Sequence, residues 1–172
     1  MIFDVIERVP EIKDHDKCVS TFDVKDYIRF ENVTFRYPTA AENVKNVLDG
    51  MTFKIKAGEN TAIVGPSGSG KSTIVQMIER FYEPSQGQIY LDDVNIKDIK
   101  LKTLRESIGY VSQEPVLILG TIKDNLLFGD IDASDADIEY ALEQANAKFI
   151  YEMESGLDTY IGSASVLNLS GG

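Results

Sequence analysis

Apolar and polar residues alternate from Tyr27 onward: Ile28, Phe30, Val33 and Phe35 are separated by charged or polar positions, the pattern of a half-buried strand. Val47 to Ile55 is a second β-rich run. Ala57-Gly58-Glu59 turns it toward a third, Asn60-Thr61-Ala62-Ile63-Val64, also read as a strand. Within the second run, Asp49-Gly50 fits either a hairpin turn or a bulge. From Thr73 to Ile78 the apolar spacing becomes helical. Pro84 to Gly87 reads as a turn, Gln88 to Leu91 as a short strand, Leu101 to Ile108 as a short helix and Gly109 to Ser112 as another strand. Beyond Gln113 the pattern is mainly helical. Ser134 with Asp137 three residues on forms a capping-box signature, opening an amphipathic helix through Ile138, Ala141, Leu142 and Ala145. At the other end Ile2, Val5, Ile6 and Val9 share a helical face that Pro10 terminates, and Glu11 to Lys25 reads as a polar linker.

The elements predict a mixed α/β core that gives way to a helical segment near Gln113. A chain of 172 residues can bury one such core, and 43% hydrophobic with 26% charged residues is ordinary globular composition. The net charge of −11 argues against nucleic acid or an anionic membrane surface as the main partner. One cysteine excludes an internal disulfide, and one histidine, His15, excludes a multi-histidine metal site or a histidine-based triad. No apolar run approaches the ~18 residues of a membrane span.

The chemistry concentrates in Gly65-Pro66-Ser67-Gly68-Ser69-Gly70-Lys71-Ser72, which fits the phosphate-binding pattern G-x-x-x-x-G-K-[ST]. It sits between an expected strand and an expected helix, the context the chemistry needs. Glycines let backbone N–H groups turn inward around a phosphate, and the helix N-terminus adds the positive end of its dipole. Lys71 can reach the β- and γ-phosphates, the Ser72 hydroxyl can ligate Mg²⁺, and Thr73 is placed to touch the α-phosphate. The expected ligand is therefore a nucleoside triphosphate with Mg²⁺, which the resemblance described below narrows to ATP. Ile89-Tyr90-Leu91-Asp92-Asp93 is an apolar run ending in acids, as a Mg²⁺-binding strand would be. It follows the glycine loop too closely for that role.

Further motifs lie in order around the loop. Phe35-Arg36-Tyr37-Pro38 precedes it, Tyr110-Val111-Ser112-Gln113-Glu114-Pro115 follows it, and Leu169-Ser170-Gly171-Gly172 closes the chain. Together they resemble the nucleotide-binding domain of an ABC transporter of the exporter (multidrug, subfamily B) type, over essentially the whole chain. The resemblance implies a P-loop NTPase (RecA-like) α/β core with an antiparallel β-subdomain and a helical subdomain, incomplete at the C-terminus. Residues 1–26 then correspond to the linker from the transmembrane region, 27–112 to the β-subdomain and nucleotide-binding core, and 113–172 to the glutamine loop and helical subdomain ending in the signature motif.

The resemblance also assigns roles. Tyr37 corresponds to the aromatic that stacks on adenine, a task for the ring face rather than the hydroxyl. Gln113 corresponds to the glutamine that joins Ser72 at the Mg²⁺ and positions water. Leu169, Ser170, Gly171 and Gly172 correspond to the signature motif, which in the family meets the γ-phosphate held by a second nucleotide-binding domain in a head-to-tail dimer. No catalytic residue is expected within these 172 residues, because the family's Walker B strand and catalytic glutamate come after the signature, so the chain alone is expected to bind ATP without hydrolysing it. In the whole transporter, ATP binding and hydrolysis would drive export, with the transmembrane domains as partners, no nucleic acid, and this domain on the cytoplasmic side of a membrane. A non-transport ABC ATPase and a non-catalytic nucleotide-binding module are the alternative readings.

Overall fold

The computed structural model describes residues 7–22, 24–40, 45–113 and 116–162. The chain divides into two compact units, residues 1–109 and residues 110–172. Of the expected N-terminal helix, Ile2, Val5 and Ile6 lie outside the described residues, and residues 7–10 are not helical.

The first unit is built on a four-stranded antiparallel sheet in the order β2-β1-β3-β4: β1 is Tyr27–Phe35, β2 Leu48–Lys56, β3 Gln86–Leu91 and β4 Val94–Asn95. Helix α1, Lys71–Ile78, lies between β2 and β3 in sequence, and the short helix α2, Leu101–Glu106, follows a 3₁₀ turn at Ile96–Asp98. The alternation read from the sequence is the packing seen. Phe30, Val33 and Phe35 of β1 are buried with Leu48, Ile74, Met77, Ile89, Leu91 and Leu104 in one apolar cluster. Asp49-Gly50 resolves as a bulge: the pairing jumps from Val33↔Met51 to Phe35↔Leu48, with Gly50 at φ +61° donating its N–H to Thr34 Oγ1.

Two expected strands do not form. Residues 60–64 and 109–112 are irregular, and Ile63 and Val64 are 37% and 87% exposed. A strand is completed by the N–H and C=O groups of a neighbour, and none of the described strands pairs with either run. β-Propensity without a partner leaves an irregular chain.

Residues 13–20, polar in composition, are bonded along the first unit. Asp14 accepts the Leu101 N–H, His15 Nε2 donates to Asp98 Oδ1 at 2.9 Å while its Nδ1 accepts the Lys17 N–H, and Val19 forms a parallel bridge with Ile99. Cys18 is buried with its thiol on the Lys97 carbonyl. Asp92 fastens the next stretch. At φ +52° in the turn between β3 and β4, its carboxylate accepts the backbone N–H groups of Lys25, Asp26 and Tyr27, while Asp93 accepts the Tyr27 hydroxyl. Both acids of the apolar-acidic run are thus engaged in holding residues 25–27 to the sheet.

The second unit is small. Helices α3, Ile122–Leu127, and α4, Asp135–Gln144, each open with a complete capping box: Thr121 with Asp124, and Ser134 with Asp137. Strands β5, Gly120–Thr121, and β6, Tyr160–Ile161, pair antiparallel. Ile122, Ile138, Leu142 and Ile150 form the core. Helix α4 closes through Asn146 at φ +54°, with the Asn146 N–H on the Glu143 carbonyl and the Ala147 N–H on Leu142, a Schellman ending.

The three N–H groups on Asp92, Lys25 foremost, hold its carboxyl below the ordinary aspartate value of 3.8. A depressed folded-state pKa contributes stability that is present above the unfolded value and lost as pH falls through the folded one. Asp92→Asn, which retains tolerance for the left-handed turn, should therefore lower Tm at neutral pH. The deficit should shrink below about pH 4 as wild-type Asp92 itself protonates; thermal melts of both proteins across pH measure this.

Candidate functional site

The glycine loop is held open by backbone that only glycine adopts without strain. Gly68 and Gly70 have φ +79° and +90°. Ser69 N–H bonds to the Pro66 carbonyl at 3.3 Å, turning the chain. Residues 65–69 are exposed and Gly70 is buried against the start of β2. A methyl on Gly70 would sit 2.8 Å from Leu48 Cδ2 and 3.1 Å from the Val47 carbonyl oxygen, and one on Gly65 would sit 2.7 Å from Ser69 Oγ. The loop is therefore a cradle of close backbone approaches, with its position set by β2.

Gly70 is also the N-cap of α1, and the first helical bond runs from Ile74 N–H to the Gly70 carbonyl at 3.1 Å. The N–H groups of Lys71, Ser72 and Thr73 are thus the helix-terminal donors, and no acidic residue lies in the first turn to neutralise them. Lys71 folds back over the loop, its ammonium donating to the Gly65 and Pro66 carbonyls at 2.8 and 2.7 Å. No carboxylate among the described residues forms an ion pair with it. A cation held by neutral carbonyls at a helix N-terminus has charge to offer an anion. Ser72 is exposed beside it.

Tyr37 reaches this helix. Its hydroxyl is 2.8 Å from Thr73 Oγ1 and 2.9 Å from Gln76 Oε1. Phe35 and Tyr82 meet its ring at 76° and 89°, each with centroids 5.0 Å away. The structure therefore brings together Tyr37, the loop from Gly65 to Gly70, Lys71, Ser72 and Thr73. Gln113 lies in the second unit and is exposed; Leu169, Ser170, Gly171 and Gly172 lie outside the described residues. The participation of Gln76 carried no signal in the sequence beyond its spacing of three from Thr73, which places both on one helix face.

Among the described residues no group of three or more His, Cys, Asp or Glu side chains could hold a metal ion. The donors at the loop, one hydroxyl beside a phosphate cradle, suit Mg²⁺ carried with a polyphosphate, the mode in which this ion uses few protein ligands.

Gly70→Ala and Gly68→Ala separate the two constraints on the loop. Both place a side chain on left-handed backbone, at about 1–2 kcal/mol. Only position 70 also meets Val47 and Leu48; nothing lies within 4 Å of a methyl at 68. Thermal melts should show both variants destabilised, Gly70→Ala the more.

Residues 48–172 match the family model described as ABC transporter. The chain is 43% identical to ABC transporter B family member 21 of Arabidopsis thaliana over 99% of its own length and 13% of that protein's. It is 42% identical to the ATP-dependent permease MDL1 of Candida albicans, over 99% of its length and 25% of that protein's. Among solved structures, a bacterial Atm1-family ABC exporter with ATP bound superposes with a TM-score of 0.84 at 35% identity, over 94% of this chain and 28% of the other. The fold is thus the α/β P-loop NTPase fold of those proteins, and the chain spans only a small part of the relatives it matches. On these matches the chain belongs to the ABC transporter family.

Proposed function

We propose that this chain is the ATP-binding part of an ABC exporter's nucleotide-binding domain, of the multidrug B-subfamily type, and that in the whole protein ATP binding and hydrolysis drive export of a substrate across a membrane. The observation that carries the reading is the placement of Lys71. Its ammonium stands at the N-terminus of α1, held by two loop carbonyls and paired with no carboxylate among the described residues.

On this reading, the N–H groups from Gly68 to Thr73 take the phosphate oxygens and Lys71 exchanges its carbonyl partners for the β- and γ-phosphates. Ser72 and Gln113 would hold Mg²⁺, which when bound supplies charge neutralisation across the terminal phosphates. Tyr37 offers its ring to the adenine. Leu169, Ser170, Gly171 and Gly172 would face the nucleotide of a second such domain in a head-to-tail pair, and the transmembrane domains of the same transporter would be the other partner. Residues 1–26 would lead from those domains, and residues 113–172 would form the helical subdomain that answers to them. The site would then face the cytoplasm at the membrane.

Lys71→Ala should weaken Mg·ATP binding by about 1.5–3 kcal/mol, roughly 10- to 150-fold in Kd. Calorimetry on the folded variant measures this, and an unchanged Kd would defeat the reading. Tyr37→Ala should cost about 1–3 kcal/mol in ATP affinity while leaving inorganic triphosphate unaffected. Equal losses for the two ligands would show that Tyr37 does not bind the base.

A further inference from the structure

The Tyr37 hydroxyl has one proton and two oxygen neighbours. Gln76 Oε1 is a carbonyl oxygen and can only accept, so the phenol donates to it across 2.9 Å. The 2.8 Å contact with Thr73 is then made with the Thr73 hydroxyl as donor. The chain of bonds runs Thr73 to Tyr37 to Gln76, and its two ends lie one turn apart on α1. Thr73 is buried, and its only hydroxyl proton is committed to Tyr37. A phosphate approaching Thr73 would therefore meet its backbone N–H rather than its hydroxyl.

A tyrosine ring turns about its χ2 axis unless something holds its plane. Here Phe35 and Tyr82 hold it edge-to-face at 76° and 89°. The hydroxyl end is tied to the helix that begins at the glycine loop.

We propose that Gln76 is a positioning residue for the nucleobase: by accepting the Tyr37 hydroxyl it anchors to α1 the far end of the ring on which the base stacks, and so contributes to the preference for a nucleoside triphosphate over bare polyphosphate. The inference rests on the reading of Tyr37 as the base platform and changes one expectation. Stacking by the ring face alone would leave Tyr37→Phe silent. A ring anchored through its hydroxyl makes that substitution costly.

The experiment titrates Mg·ATP and Mg·tripolyphosphate into the 172-residue chain by calorimetry, for the wild type, Gln76→Leu, Gln76→Glu, Tyr37→Phe, Tyr37→Ala and the Gln76→Leu/Tyr37→Phe double variant. The readout is the ratio of the two affinities. Gln76→Leu should lower the preference for ATP roughly 3- to 10-fold, the worth of one intramolecular hydrogen bond. Tyr37→Phe should do the same, and the double variant should lose no more than the larger single loss. Gln76→Glu, which keeps an acceptor oxygen, should stay within about twofold of the wild-type ratio. A Gln76→Leu loss shared equally by tripolyphosphate, additive losses in the double variant, or a Gln76→Glu ratio as low as that of Gln76→Leu would each overturn the proposal. If Gln76→Leu does not fold, as judged by circular dichroism, Tyr37→Phe decides: an unchanged ratio sinks the proposal. If Tyr37→Ala abolishes the preference while Gln76→Leu and Tyr37→Phe leave it intact, the inference alone fails. A Tyr37→Ala ratio equal to wild type removes the base platform and the inference with it.

Discussion

Helix α1 has eight residues, too few to be stable alone in water, and the site depends on its being fixed at both ends. At its start, Gly70 lies in a left-handed conformation pressed on Val47 and Leu48. At its end a Schellman motif closes it, with the Phe81 N–H on the Gln76 carbonyl and the Arg80 N–H on Met77. The left-handed residue of that motif is Arg80 at φ +54°, where glycine is usual. The strain, about 1–2 kcal/mol for a residue with a Cβ, is offset by what the side chain does. The guanidinium is 2% exposed and donates to the carbonyls of Ile96, Lys97, Ile99 and Lys13 and to Glu83.

Arg80 thereby joins the helix end, the turn before α2 and the N-terminal stretch. A buried cation is tolerable only when its donors are met and its charge is paired. Glu83 supplies the pairing. Burial alone would push its carboxyl up, but hydrogen bonds from Lys97 and Arg80 outweigh that and hold it below the ordinary glutamate value. Removing the Arg80 side chain would take a donor from four carbonyls and leave Glu83 paired with Lys97. The direction in which Lys71, Ser72, Thr73 and Gln76 leave the helix is inherited from this anchoring.

Electrostatics explain how a chain of net charge −11 can present an anion site. Several of its acids are committed elsewhere as backbone acceptors. Asp92 holds residues 25–27, and Asp124 and Asp137 close their capping boxes, each with its carboxyl lowered by those hydrogen bonds. None lies in the first turn of α1. The local field at the loop is set by peptide N–H groups and Lys71, while the overall charge is screened over about 10 Å at ordinary ionic strength.

The loop from Gly65 to Ser72, the alternation in β1, the helix after Lys71 and the Ser134 capping box were all legible in the chain. Each rests on neighbours a few residues apart: glycine for left-handed backbone, periods of 2 and 3.6 residues, a side chain reaching three positions along. The Thr121–Asp124 box and Asn146 at the end of α4 carried equally local signals that were there to be read. The runs at 60–64 and 109–112 show where local information ends, since a strand exists only against a partner that may lie anywhere in the sequence. The same holds for the attachment of residues 13–20, for the Arg80 hub, and for the meeting of Tyr37 with Thr73 and Gln76 across 36 and 39 positions. Sequence alone determined which residues could bind a phosphate. Only tertiary structure decided which side chains hold the tyrosine beside them, because hydrogen bonds between distant residues depend on how the backbone packs and not on spacing along it.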